Sequence, residues 1–159
     1  MNWNKAKLEK EIIECKMGVE LSKGLLKAIK EFEHRAHVNK TFVDKLKEMG
    51  YHAFIQKDKH STTFYCSISK EHNQYRAEIR CYVSQCFSAS PLSWDRIKKE
   101  IEIHNFEQRL LKAQERRILI DQEVEQAKEI LSYLKSKKLE CFDFYKGINE
   151  IEDALREQC

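Results

Sequence analysis

Between Trp94 and Lys138 the chain contains neither glycine nor proline, and its apolar side chains recur in steps of three and four. The positions are Ile103, Phe106, Leu110, Ala113, Arg117, Ile120, Val124, Ala127, Leu131 and Leu134, of which only Arg117 is charged. This spacing predicts one long helix over 92–138 with a coiled-coil type of stripe. At 1.5 Å per residue such a helix reaches roughly 65–70 Å, too long for one small globule to surround. It needs a partner: the chain's own first helix, a second copy, or another protein.

The same period opens the chain. Leu8, Ile12, Cys15, Val19, Leu26 and Ile29 alternate steps of four and three around Ser22, and Leu21, Leu25, Ala28 and Phe32 widen the apolar face in the second half. Gly18 and Gly24 interrupt this helix, each costing about 1 kcal/mol relative to alanine. They suit a close approach by another helix or a kink. A short second helix is expected from Thr41, with Asp44 completing a capping box, to Met49, with Gly50 just past its end.

From residue 51 the period changes from 3.6 to 2. Phe64, Cys66 and Ile68 alternate with Tyr65, Ser67 and Ser69. Tyr75, Ala77, Ile79, Cys81 and Val83 alternate with Arg76, Glu78, Arg80 and Tyr82. Turns at Asp58-Lys59-His60 and Glu71-His72-Asn73 complete the pattern of a three-stranded antiparallel meander. The expected fold is α+β and mostly helical. A long antiparallel helical hairpin, coiled-coil-like, carries the small meander within a single domain (1–159). Helices occupy 1–50, the meander 51–84, the long helix 92–138 and an acidic C-terminal helix 139–159.

Charge is unevenly placed. Lys and Arg number 29 and Asp and Glu 26. Residues 1–50 hold 11 basic and 8 acidic side chains, 51–91 hold 5 and 3, and 92–159 hold 13 and 15. The basic excess of the first half suits nucleic acid or an acidic protein. No apolar run reaches the ~20 residues of a membrane span, and MNWNKAKLEKEII lacks a secretory pattern. A cytoplasmic chain without membrane contact is expected, its six scattered cysteines reduced and several of them in the core.

Two surfaces are candidates for function. One is the helical stripe, with Leu110, Ile120, Val124 and Leu131 as protein-interaction residues and Arg117 as a charge in the seam that sets register. The other is the outward face of the sheet, where Tyr65, Arg76, Arg80 and Tyr82 combine rings and guanidinium groups suited to single-stranded nucleic acid. Arg109, Lys112 and Arg116 add a basic stripe that could track phosphates. The acidic block Asp121, Glu123, Glu125 and Glu129 follows it, and paired blocks of this kind also suit an antiparallel helix pair. The alternatives for the sheet are ordinary cross-strand pairs, and for Arg117 a stripe that drifts by one residue.

Catalytic signals are weak. His34 and His37 lie near Glu31 and Glu33, but the order is not that of a zinc protease helix and no further ligand follows. There is no glycine-rich phosphate loop and no Gly-x-Ser-x-Gly. Among the cysteines, only Cys86 is expected to be accessible. The sequence points to a non-enzymatic protein, without cofactor or metal, working through a protein partner or self-association as a homodimer. A scaffold, an adaptor or a small phage or mobile-element inhibitor fits this description. Nucleic-acid binding through the sheet face and the basic helix stripe is the alternative.

Overall fold

A computed structural model describes residues 3–86, 92–137 and 142–157. The chain is α+β and mostly helical. In order it forms α1 (Lys5–Phe32), α2 (Lys40–Glu48), β1 (His52–Lys57), β2 (Ser61–His72), β3 (Tyr75–Cys86), α3 (Trp94–His104), α4 (Phe106–Ser136) and α5 (Phe142–Arg156). The three strands make one antiparallel sheet in the order β1-β2-β3. Contacts divide the chain into two compact units: Ile13–Arg109, and Met1–Ile12 with Leu110–Cys159.

In the first unit, the rest of α1 joins α2, α3 and the inward face of the sheet. The alternation read from the sequence holds: Phe64, Cys66, Ile68, Ala77, Ile79, Cys81 and Val83 are all buried. Phe42 of α2 is the hub. It stacks on Phe64 at 6.0 Å, meets Trp94 edge-on at 4.9 Å and contacts Phe32 at 5.7 Å. Such ring pairs add about 0.5–1.5 kcal/mol beyond the area they bury.

Helix ends differ from the sequence expectation in two places. Asn39, not Thr41, caps α2: its side chain accepts a hydrogen bond from the Phe42 amide, so the helix starts two residues earlier than a Thr41 cap implies. The expected long helix over 92–138 is broken at Asn105, which adopts a left-handed φ of 42° between α3 and α4. Asparagine tolerates that conformation better than most residues. The break turns Ile103 out to solvent, 71% exposed, although the stripe would bury it. Ser93 stands at the N-cap of α3 without a side-chain capping bond. Ser90 and Pro91 lie outside the described residues, as do Cys141 and Cys159.

The turns of the sheet follow local chemistry. Asp58 accepts from the backbone amides of His60 and Ser61, both at 2.8 Å, and from the Ser61 hydroxyl at 3.1 Å. The second turn is centred one residue later than expected, on Asn73 with a φ of 54°. Gly50 past α2 has a φ of 86°, a conformation open to glycine at little cost.

In the second unit, the first turns of α1 pack with α4 and α5. Trp3, Leu8, Ile12, Ala113, Ile120 and Ala127 form a buried cluster, with Leu110, Val124, Ile151, Ala154 and Leu155 partly buried against it. The indole of Trp3 donates to Glu123 at 2.9 Å, Lys5 meets Asp121 at 3.2 Å and Arg117 meets Glu9 at 2.8 Å. Partner numbers fall along α4 as they rise along α1, so the two helices run in opposite directions here.

Candidate functional site

The sheet has one face on the core and one in solvent. Because β2 pairs with both neighbours, the register lines up outward residues in transverse rows. Phe54, Tyr65 and Tyr82 form one row, and His52, Ser67 and Arg80 the next. With strands ~4.8 Å apart, the aromatic row spans about 10 Å. The rings of Phe54 and Tyr65 stack at 5.2 Å with 29° between planes, and His52 meets both edge-on at 5.9 and 5.7 Å. Tyr82 is 59% exposed and Phe54 37%.

Below this row lies a charged cluster. Arg80 Nε donates to Glu78 at 2.9 Å, Arg76 reaches Glu78 at 3.5 Å and Glu71 at 2.9 Å, and the Ser67 hydroxyl donates to Glu78 at 3.3 Å. The hydrogen bond from Arg80 holds Glu78 below the usual carboxylate range, and the same bond raises the Arg80 guanidinium. Both groups therefore stay ionised. Glu78 fixes the direction of two arginines while leaving Arg76 and Arg80 exposed.

The outer edge of β3 is partly capped. The Arg76 amide donates to Glu14 at 3.2 Å, the Arg80 carbonyl is 3.0 Å from His104 Nε2, and the Ser84 carbonyl accepts from Arg96 at 3.1 Å. Side chains from helices thus occupy groups that would otherwise pair with another strand.

The four sheet residues singled out from sequence, Tyr65, Arg76, Arg80 and Tyr82, all sit on this outward face. Phe54 and His52 join them, and sequence reading missed both. Apolar residues occupy both alternating sets of β1, so only its register with β2 reveals which set points outward. The basic stripe is less unified: Arg109 lies over the Phe106 ring at 5.2 Å, while Lys112 and Arg116 are exposed.

The helical candidates are placed differently. Ile120 is buried, and Leu110 and Val124 pack against its cluster. Leu131 is half-buried. The seam they define is filled by α1 and α5 of the same chain, and Arg117 at its margin is paired with Glu9. On α4 a second apolar set stands in solvent: Leu111 at 52%, Ile118 at 58%, Leu119 at 57%, Ile130 at 53% and Tyr133 at 60% exposure. Leu111 and Ile118 each precede a buried residue, Ala113 and Ile120, by two positions. At about 100° per residue that is more than half a turn away. The sequence signal for this side was the doublet Ile118-Leu119 beside the seam.

Other chemistry is sparse. Cys66 and Cys81 face each other across β2 and β3, and burial pushes each thiol up to about 12, which suppresses the reactive thiolate. Cys86 is exposed. His34 and His37 fall in the turn and bend after α1, not on a helical face. Among the described residues no group of three or more His, Cys, Asp or Glu is placed to hold a metal, and no helix is long and apolar enough to cross a membrane. A shallow groove of about 380 Å³ between α1 and the α3–α4 break is lined by Val19, Leu26, Ile101 and Phe106, with Lys23 and Glu102 at its rim. In comparisons with known proteins, no family model, no curated protein and no solved structure matches this chain.

Proposed function

We propose that this chain is a non-catalytic interaction protein, acting as a scaffold, adaptor or inhibitor through its helical surface. The observation that carries the reading is the two-sided apolar character of α4. One side packs on α1 and α5, which we read as an antiparallel hairpin of coiled-coil type. The other side, Leu111, Ile118, Leu119, Ile130 and Tyr133, remains in solvent. A helix hydrophobic on both sides is one whose surroundings are incomplete, and clustered exposed apolar groups mark association sites. The partner is a protein, either another chain or a second copy.

The test is replacement of Ile118 and Leu119 together by Glu. Both side chains are more than half exposed, so the fold should stand, as circular dichroism and thermal melting will report. Light scattering then reads self-association, and a tagged pull-down, with and without nuclease, reads partner capture. The reading expects a nuclease-resistant partner, or an oligomer, that the double variant loses. Retention of that species by a folded double variant refutes it.

A further inference from the structure

We propose that the outward face of the sheet binds single-stranded nucleic acid, with Phe54, Tyr65 and Tyr82 stacking on unpaired bases and Arg80 meeting phosphate. This site is separate from the helical surface and does not depend on it.

The composition of the face points to this ligand. Its outward positions on the three strands are His52, Phe54 and Gln56; Ser61, Thr63, Tyr65, Ser67, Ser69 and Glu71; and Arg76, Glu78, Arg80, Tyr82, Ser84 and Cys86. No Leu, Ile, Val or Met is among them. The face offers rings, small hydroxyls and two guanidinium groups, with Glu71 and Glu78 beside the arginines. Rings provide a sequence-tolerant stacking surface, since every base has a π-face. The transverse row crosses all three strands, so a strand of nucleic acid crossing the sheet would meet the rings in succession.

Charge supplies the second contact. Arg80 lies one row from the aromatic row, with a side chain 68% exposed, and its Nε is held by Glu78. The guanidinium is oriented before any ligand arrives. A guanidinium carries five N–H donors, so a carboxylate on Nε leaves the fork at its far end for a phosphate. Arg76, 55% exposed at its side chain, extends the cationic edge. Glu78 and Glu71, the latter 2.9 Å from Arg76, both oppose phosphate by their own charge, and the sign makes Glu78, the partner of Arg80, diagnostic. Duplex ligands are disfavoured because their bases are already stacked and cannot reach the rings.

The experiment is fluorescence anisotropy with fluorescein-labelled single strands of about ten nucleotides, within the usual footprint of one such module. One arm uses DNA, one RNA, and a duplex of the same sequence competes. The wild-type chain should bind at least one single strand, with an affinity that falls as salt rises. Tyr82→Ala should weaken binding roughly 5- to 100-fold; its ring is exposed, so folding is preserved. Phe54→Ala should act in the same direction, with its fold verified by circular dichroism. Arg80→Ala should reduce the salt slope by about one. Glu78→Gln should leave affinity unchanged or raise it. Preference between the DNA and RNA arms identifies the source of the strand. Absence of binding in both arms at low salt overturns the proposal. So does undiminished binding by folded Tyr82→Ala, equal competition by duplex, or a protein captured through Tyr82 without any single-strand binding.

Discussion

Gly18 shows how one residue can set a contact. A Cβ placed there would lie 2.3 Å from the Phe106 ring, closer than atoms can pack, so Phe106 reaches the α1 backbone only because position 18 has no side chain. Gly24 differs: its added Cβ would be 3.3 Å from the Tyr51 hydroxyl, the end of a side chain that can yield. Both substitutions to Ala gain about 1 kcal/mol of helix propensity. At Gly18, overpacking should reverse the gain by about 1–3 kcal/mol. Thermal melting should therefore place Gly18→Ala below wild type and Gly24→Ala level with it or above. Two variants shifting upward together would mean that Phe106 moves aside freely. The sequence pointed to a close approach by another helix or a kink at these glycines. It could not separate them, because the side chain opposite each is a tertiary fact.

At the scale of elements, local chemistry decided what could be read. Strict alternation in β2 and β3 specified both faces, since a slip of one residue would invert every side chain. The four outward residues were legible for that reason. β1 lacked the signal: Ala53 and Ile55 on one side and Phe54 on the other leave the face undetermined until pairing fixes it. The division of α3 from α4 was hidden for a related reason. Asn105 has neither the freedom of glycine nor the block of proline, and the apolar period runs straight across it. The turn between β1 and β2 was clear, and it carries a pH signature. Hydrogen bonds, led by the His60 amide, lower the Asp58 pKa. A carboxyl depressed on folding contributes stability above its unfolded value of about 3.9, and that contribution is lost as pH falls through the folded value. Amide exchange at His60 and Ser61, corrected for intrinsic rates, should lose protection on acidification below that range. Asp58→Ala should show the lower protection at every pH. A turn whose protection is the same in both chains would show that Asp58 does not hold it.

At the scale of the molecule, the two units make different demands on the same period. The stripe of Leu110, Ile120, Val124 and Leu131 was visible as an apolar seam, but a period cannot say whether the chain or a partner fills it. Here Val124 packs beside a cluster completed by Leu8, Ile12 and Ile151. A glutamate at that position should damage the fold of its own unit before it affects any partner. The two tryptophans report separately: Trp3 lies in the cluster with Ile120, and Trp94 lies in the core around Phe42. With Trp94→Phe in the background, Trp3 fluorescence follows one unit; with Trp3→Phe, Trp94 follows the other. Val124→Glu should lower the urea midpoint seen by Trp3 by the equivalent of about 1–3 kcal/mol, while the midpoint seen by Trp94 moves far less. Ile118→Glu, on the exposed side, should leave both midpoints in place and still remove the partner. If Val124→Glu abolishes association with the Trp3 transition unchanged, then Val124 faces a partner and the association surface lies on the seam side of α4. The exposed side would then need another explanation for its five large apolar groups.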